Sequence, residues 1–360
     1  MRIVLLVQGM AGYLDASFRG LHELGDELLV VYPASMGNTA FEDSGFCDYA
    51  QTIVWETPPA PAELVRQVSD FSPDAIVMGS WGRPAAYRAV MKAQPSSVLR
   101  ILAMDNLWSA KPRQWLGRAT HRLYLDPLYD CVMVASDRTE WFARRLGFAA
   151  ENVIRGLYTA DTRLFDRGPR SGAELAGRRT FLFAGRLVAD KGVDILAVAY
   201  AKYRRATEHP WDLRVVGIGE LRQVLDGTPG VTLSGFVQPE GLVELMSVAS
   251  CFVLPSRFDH YGVVLHEAAA AGLPLLVSDV VGAAPGLLQD GYNGWVVSTG
   301  SSEHLSDAML RVSRASPERL EAMSAVSRAL STRLSPAGWA RNLHEEILRR
   351  TGGAQPVHEE

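Results

Sequence analysis

The sequence has little cysteine, little excess charge and no long apolar run. Its three cysteines, Cys47, Cys131 and Cys251, lack metal-ligand spacing, so buried thiols are the simpler interpretation. The formal net charge of −4 argues against bulk nucleic-acid binding. No window approaches the roughly 20 apolar residues of a membrane-spanning helix, and the first residues are too weakly basic and apolar for a secretory signal. We therefore expect a cytoplasmic protein, with peripheral contact at the inner face of a membrane left open.

Short apolar runs alternate with helical patterns along the whole chain, which predicts an α/β fold built on doubly wound parallel sheets. The predicted strands are Ile3–Val7, Leu28–Tyr32, Ala75–Gly79, Leu99–Met104, Cys131–Ala135, Thr180–Ala184, Leu213–Val216, Val231–Ser234, Cys251–Leu254 and Leu275–Ser278. The segment from Pro33 to Pro61 is expected to hold short strands and loops. A length of 360 residues fits about two domains.

The glycine-rich stretch Arg155–Thr180 has the composition of a linker and places the domain boundary. We predict a first domain over residues 1–165, a second over 166–335, and a C-terminal segment, 336–360. That segment holds an amphipathic helix, Pro336–Arg350, with Trp339, Leu343 and Ile347 spaced by four. The last residues, AQPVHEE, are expected to fray.

The stretch Pro255–Gly272, PSRFDHYGVVLHEAAAAG, carries the first chemical signal. A buried strand ends at Pro255, a polar loop follows, and a helix is predicted from Val263 with Gly272 as its C′ glycine. Amides at a helix start bind anions such as phosphate. Two carboxylates, Asp259 and Glu267, flank the loop, and a carboxylate accepts hydrogen bonds from sugar hydroxyls.

The stretch Phe181–Gly192, FLFAGRLVADKG, is the second motif that indicates chemistry. A strand delivers Arg186 at its end, and Lys191 follows before a helix that begins near Val193. Arginine grips a diphosphate through two parallel hydrogen bonds, and lysine adds a mobile point charge. Together they would stabilise negative charge on a departing diphosphate.

Glycines also end other predicted strands, where open α/β sheets bind ligands. Gly9 and Gly12 follow the first strand, either as a ligand loop or as a tight turn that needs glycine. Val216–Glu220, VGIGE, lacks the third glycine of a dinucleotide fingerprint, so an NAD site is disfavoured.

These motifs resemble the family-4 retaining glycosyltransferases of GT-B fold. Pro255–Pro274 is similar to the family pattern PSxxExFGxxxxEAxAxGxP, with Tyr261 replacing Phe and Asp259 replacing the first Glu. The second motif matches the family's GRL…KG element at Gly185, Arg186, Lys191 and Gly192. The resemblance implies two Rossmann-like domains that face each other across a cleft, the first binding the acceptor and the second the donor. In such proteins a terminal helix returns to the first domain.

The resemblance also implies transfer of a sugar from a nucleoside-diphosphate donor, UDP or GDP, to an acceptor hydroxyl with retention at the anomeric carbon. Glu267 would bind the ribose, and Asp259 would lie near the donor sugar, although its side chain is one methylene shorter. Polysaccharide or glycoconjugate biosynthesis is the expected setting, with a glycan or lipid-linked acceptor. No metal or other cofactor is expected, because no His cluster is present and Arg186 and Lys191 supply positive charge. The residues assigned to donor binding by this resemblance and the glycine turns are Gly12, Gly185, Gly217, Phe236, Val237, Tyr261, Gly262, Val263, Val264 and Glu267; those assigned to catalysis are Arg186, Lys191, Asp259 and Asp105.

Two features of the first half leave alternatives open. Asp105 ends a strand, where it either orients a sugar or acceptor hydroxyl or caps the following turn. Trp108–Leu125 reads as a basic amphipathic helix, and its Lys111–Arg122 portion either lies on an anionic membrane surface or forms a solvated face. A GT-B epimerase or phosphorylase, and a non-catalytic sugar-nucleotide-binding or scaffold protein, also remain open as functions.

Overall fold

The computed structural model of the chain describes residues 1–34, 45–79 and 84–352. The chain divides into two compact units, Met1–Thr159 together with the chain from Pro336, and Ala160–Ser335. The predicted boundary after residue 165 falls at the end of a short helix of the second unit, Thr162–Phe165. The predicted fraying of residues 354–360, and part of the segment predicted to hold short strands, lie outside the described residues.

The helices and strands follow one another in the alternating order that the sequence predicts. The strands are β1 Arg2–Leu6, β2 Glu27–Pro33, β3 Gln51–Trp55, β4 Ala75–Met78, β5 Leu99–Met104, β6 Cys131–Val134, β7 Val153–Arg155, β8 Thr180–Ala184, β9 Asp212–Val216, β10 Val231–Leu233, β11 Cys251–Leu254, β12 Leu275–Ser278 and β13 Gly294–Val297. The helices are α1 Gly12–Glu23, α2 Pro61–Phe71, α3 Ala85–Ala93, α4 Pro112–Ala119, α5 His121–Tyr124, α6 Asp137–Leu146, α7 Thr162–Phe165, α8 Gly172–Arg178, α9 Val193–Arg205, α10 Pro239–Ser247, α11 Val263–Ala270, α12 Ala284–Leu287, α13 Ser302–Ser313, α14 Pro317–Ser331 and α15 Pro336–Thr351.

Each unit is built on one parallel sheet. The first sheet has the order β3-β2-β1-β4-β5-β6-β7, and the second has the order β10-β9-β8-β11-β12-β13. The central strands are apolar and buried throughout, as β4 and β11 show, because helices cover both faces of such sheets. The strand order reverses between β1 and β4 in the first unit and between β8 and β11 in the second. Ligands of open α/β sheets bind beside such reversals, at the carboxyl ends of the strands.

Three strands of the structure are absent from the predicted set: β3, β7 and β13. All three lie at the ends of their sheets or are very short, and β3 and β13 leave part of their side chains exposed. A strand with one neighbour needs fewer apolar residues, so its hydrophobic pattern is weak. β3 lies within the Pro33–Pro61 segment, for which short strands were predicted.

The C-terminal helix α15 packs within the first unit. Its buried face carries Trp339, Leu343 and Ile347, the three residues that the spacing of four predicts. Gly20 of α1 lets the two helices approach closely, because a Cβ there would lie 3.0 Å from the Cβ of Ala340. The Trp339 indole donates a hydrogen bond to the Leu157 carbonyl at 2.9 Å. Helix α15 therefore anchors the end of the first unit to α1.

The prediction of one amphipathic helix over Trp108–Leu125 is wrong. The segment forms two helices, α4 and α5, because Thr120 leaves the helical conformation with φ −109° and ψ 13°. The apolar residues that recur at helical spacing in this segment also do not form a buried face. Trp115, Leu116 and Leu123 are exposed, by 45%, 64% and 70% respectively.

Candidate functional site

In the second unit, the loop between β8 and α9 is held against the loop after β11. Gly192 directly precedes α9 with φ 68°, and a Cβ on it would lie 2.0 Å from the carbonyl oxygen of Pro255. Only glycine combines this left-handed conformation with so close a backbone approach. The amides of Arg257 and Phe258 donate to the Asp190 carbonyl at 2.8 and 3.1 Å. The two chemical motifs of the sequence therefore form one continuous surface beside the reversal between β8 and β11.

The glycine loop after β9 extends this surface. A Cβ on Gly217 would lie 1.9 Å from the Gly185 carbonyl oxygen, and the Gly217 amide donates to the Gly235 carbonyl at 2.6 Å. Phe236 and Val237 follow directly and are partly buried. Backbones without side chains between them can approach a nucleotide closely. The loops that hold Gly185, Gly217 and Phe236 thus meet at one edge of the sheet.

The start of α11 supplies backbone donors at the same edge. Gly262 precedes the helix with a left-handed conformation, and Val263 and Val264 form its first turn. Tyr261 is buried, and its carbonyl accepts a hydrogen bond from the Ala283 amide at 2.8 Å, which fixes the loop from behind. The first amides of a helix have no partner within it and carry partial positive charge. This turn can therefore bind an anion.

Lys191 and Asp259 form an ion pair across the two loops. The Lys191 ammonium donates to Asp259 Oδ2 at 2.6 Å, and the side chains are 18% and 7% exposed. The Ser256 hydroxyl donates to the same carboxylate oxygen at 3.3 Å. Arg186, by contrast, lies exposed just after β8. The structure thus brings two of the predicted catalytic residues of this unit into direct contact.

Glu267 lies in the middle of α11, one residue after a buried histidine. Burial, together with the smaller effect of the neighbouring Asp161 carboxylate, raises the pKa of Glu267 to about 7. His266 is fully buried, and burial lowers its pKa to about 4. Its Nδ1 accepts from the Ala160 amide at 3.0 Å, so Nε2 donates to the Ser331 carbonyl at 2.9 Å. This neutral imidazole fixes α11, and with it Glu267, between two other segments of the unit.

In the first unit, Asp105 lies at the wall of a cavity of about 300 Å³. The cavity is next to the reversal between β1 and β4, lined by Val7 and Gly79 at the ends of those strands. The Tyr158 hydroxyl donates to Asp105 Oδ2 at 3.1 Å, and burial raises the pKa of Tyr158 well above its usual value. Gln8, Gly9 and Asn106 add polar groups, while Tyr13 and Trp339 add aromatic faces. The arrangement suits a ligand with a hydroxyl group and an apolar face.

Some residues that shape these surfaces were not assigned by the sequence analysis. Ser256 belongs to a quoted motif but received no role, and the pairing of Tyr158 with Asp105 joins positions 53 residues apart. Asp161 caps α7 by accepting from the amides of Arg163 and Leu164. Of the predicted donor residues, Gly12 begins α1 rather than ending the turn before it. An Asp before a short helix is a recognisable cap, whereas the other pairings have no local signal.

Two further observations concern the residues that the structure describes. No group of three or more His, Cys, Asp or Glu among them is placed to hold a metal ion. None of the helices in the described ranges combines the length and the apolar character needed to cross a membrane.

The chain resembles known proteins in sequence over more than half its length. It is 30% identical over 261 residues to the exopolysaccharide phosphotransferase SCO2592 of Streptomyces coelicolor. This alignment covers 69% of this chain and 26% of that protein. It is 27% identical over 335 residues to a GDP-mannose-dependent alpha-(1-6)-phosphatidylinositol monomannoside mannosyltransferase of Mycobacterium tuberculosis, covering 84% of each. The chain thus spans about a quarter of the length of the first relative and most of the second.

A solved structure matches across both units, and a family model matches the second. The crystal structure of Anabaena HepE in complex with UDP and glucose superposes with a TM-score of 0.76 at 17% identity, covering 96% of this chain and 99% of that one. Residues 178–314 match the family model of the glycosyl transferases group 1. Over those residues the chain is similar to the glycosyl transferases group 1, and its two parallel sheets have the GT-B fold.

Proposed function

We propose that this chain transfers a sugar from a nucleoside-diphosphate donor to an acceptor hydroxyl, with retention at the anomeric carbon, in polysaccharide or glycoconjugate biosynthesis. The observation that carries the proposal is the meeting of four loops beside the reversal of the second sheet. Those loops bring bare glycine backbone, the first turn of α11 and the Lys191 ammonium to one edge. Such a surface fits a diphosphate flanked by a sugar and a nucleoside.

Five of the predicted site residues have a definite task in this proposal. Arg186 and Lys191 bind the diphosphate and stabilise the charge that develops as it departs. The amides of Val263 and Val264 hold phosphate or sugar oxygens, and Glu267 accepts hydrogen bonds from the ribose. The departing phosphate helps to deprotonate the acceptor, so the protein need not supply a separate base. The HepE complex contains UDP and the mycobacterial relative uses GDP-mannose, so both nucleotides are candidate donors for this chain.

We place acceptor binding in the cavity of the first unit. Asp105 offers a carboxylate there, and its hydrogen bond from Tyr158 fixes the orientation of that carboxylate. Aromatic faces such as those of Tyr13 and Trp339 pack on the C–H face of a sugar or on an apolar aglycone. A glycan or a lipid-linked sugar satisfies both features of this cavity.

We expect the surface formed by Trp115, Leu116, Leu123 and Tyr124 to bind anionic membranes. All four side chains are exposed; the exposed cations Arg113, Arg118 and Arg122 lie on the same two helices, and exposed Lys111 directly precedes the first of them. Exposed aromatic and leucine side chains enter the lipid interface while basic residues contact anionic headgroups. The double variant Trp115→Ala/Leu116→Ala should reduce binding to vesicles that contain phosphatidylglycerol about tenfold in a sedimentation assay.

The matched control for this membrane prediction is Tyr292→Ala, which removes an exposed aromatic residue from the second unit. That control should bind vesicles as the unmodified protein does, and high salt should weaken binding by both. Equal sedimentation of the double variant and the unmodified protein would leave this surface as an ordinary solvated face.

A thermal-shift screen with UDP, GDP, ADP and their sugar conjugates tests the donor site. A nucleotide present at about a hundred times its dissociation constant should stabilise the fold by about 2.7 kcal/mol. Glu267→Ala should abolish the shift, whereas Glu244→Ala, which changes an exposed residue of α10, should retain it. If no nucleotide stabilises the protein, the donor site is refuted and a scaffold role gains support.

A further inference from the structure

Asp259 uses one carboxylate oxygen for two hydrogen bonds within the protein. Its Oδ2 accepts from the Lys191 ammonium at 2.6 Å and from the Ser256 hydroxyl at 3.3 Å. Ser256 is fully buried, and the Asp259 side chain is 7% exposed. Because this ion pair has so little contact with water, hydrogen bonds within the protein, rather than solvent, fix the orientation of the Asp259 carboxylate. The carboxylate of Asp259 is therefore directed towards Lys191.

The backbone around this pair keeps the two side chains in register. The guanidinium of Arg257 binds the Asp194 carboxylate at 2.6 Å and also donates to the Ala189 carbonyl. The same residue's amide donates to Asp190, in the turn that ends at Lys191. These contacts join the loop after β8 to the loop after β11 on both sides of the ion pair. Lys191 and Asp259 are thus presented on a single preformed framework.

The chemistry of the ammonium group allows it to serve Asp259 and a ligand together. A lysine ammonium has three donors, so the bond to Asp259 leaves two for phosphate oxygens. The carboxylate of Asp259 fixes the direction of those donors, because the short hydrogen bond between the two groups holds the ammonium in one place. An aspartate of this length, already committed to Lys191, has less reach towards a donor sugar.

We propose that Asp259 is a positioning residue that acts through Lys191, by aiming the ammonium at the donor diphosphate, and does not contact the transferred sugar. This inference rests on the proposed donor site of the second unit. It makes a specific demand: removing the Asp259 charge should affect a nucleoside diphosphate and its sugar conjugate equally. A residue that contacted the sugar would affect the conjugate alone.

Calorimetric titration with UDP and UDP-glucose, or with GDP and GDP-mannose if guanine nucleotides bind, tests this demand. Asp259→Asn should raise the dissociation constants of both ligands of the pair by the same factor, about fivefold to tenfold. In a Lys191→Met background the same substitution should have no further effect, because the group through which Asp259 acts is absent. Ser256→Ala should produce a smaller loss of the same kind while leaving the ion pair in place.

The outcomes separate the inference from the proposed function. Two results would overturn the positioning role and leave the donor site intact. In the first, Asp259→Asn weakens binding of the sugar conjugate alone. In the second, the losses of affinity caused by Asp259→Asn and Lys191→Met multiply in the double variant. If the unmodified protein binds neither member of either pair, the donor site itself fails and the inference falls with it. Should Asp259→Asn not fold, Ser256→Ala carries the same comparison of free and sugar-bearing diphosphate.

Discussion

Replacing Lys191 with methionine should lower kcat/KM for the donor about 10²- to 10³-fold, the loss expected when a preorganised group that stabilises transition-state charge is removed. Methionine keeps the length of the apolar stem and removes only the ammonium. In the proposed reaction, negative charge accumulates on the diphosphate as the sugar leaves, and the ammonium held beside Asp259 would stabilise that charge. Release of nucleoside diphosphate from the donor sugar measures the rate.

The substitution also leaves the Asp259 carboxylate without its cation, so stability must be checked alongside activity. Removal of one partner from a largely buried ion pair costs several kcal/mol in the least favourable cases. Lys202→Met is the matched control, because Lys202 lies on the last turn of α9, pairs with Glu303 of α13 and has no place in the proposed chemistry. It should lose at most a small amount of stability and keep its rate. A Lys191→Met protein that folds and retains a third or more of the rate would remove Lys191 from the mechanism.

Much of the fold was predictable because its strands are buried on both faces. β5, β8, β11 and β12 have the predicted limits, since each is a short apolar run that ends at a turn-forming or polar residue. The helix after Gly262 was also predicted correctly, with Gly272 in the left-handed conformation of a C′ glycine. Edge strands such as β13 were missed, since partial exposure removes the continuous apolar run that identifies a buried strand.

The site was predictable as a set of loops but not as a set of contacts. Motifs identify Lys191 and Asp259 separately, because each has a recognisable local context. The ion pair between them joins residues 68 apart, and it depends on the parallel pairing of β8 with β11. The same is true of Tyr158 and Asp105 in the first unit. Side-chain pairings of this kind follow from the sheet order, which local patterns do not specify.

Nucleotide affinity should rise with pH through neutrality. Burial raises the pKa of Glu267 to about 7, whereas the ribose hydroxyls donate best to the ionised carboxylate. If only that form binds, the dissociation constant at pH 5.5 should be about 30-fold weaker than at pH 8, since a deficit of 1.5 pH units corresponds to that factor. Glu267→Gln should bind more weakly at high pH and show little pH dependence. Calorimetric titration of the selected nucleotide across this range supplies the curve.

The folding stability of the ligand-free protein should change with pH in the opposite sense. A carboxyl whose pKa is raised in the folded state is favoured when protonated, so its contribution to stability is complete below its ordinary pKa of 4.5 and is lost as the pH rises towards 7. His266, with its pKa lowered to about 4, instead loses stability as the pH falls below 6.5. The unmodified protein and Glu267→Gln both contain His266, so the difference between their stabilities at each pH isolates the contribution of the Glu267 carboxyl. The Glu267 carboxyl thus lowers the stability of the ligand-free protein over the pH range in which it strengthens nucleotide binding. If this contribution to stability and the nucleotide affinity instead changed in the same direction with pH, Glu267 would not be the group that binds the ribose.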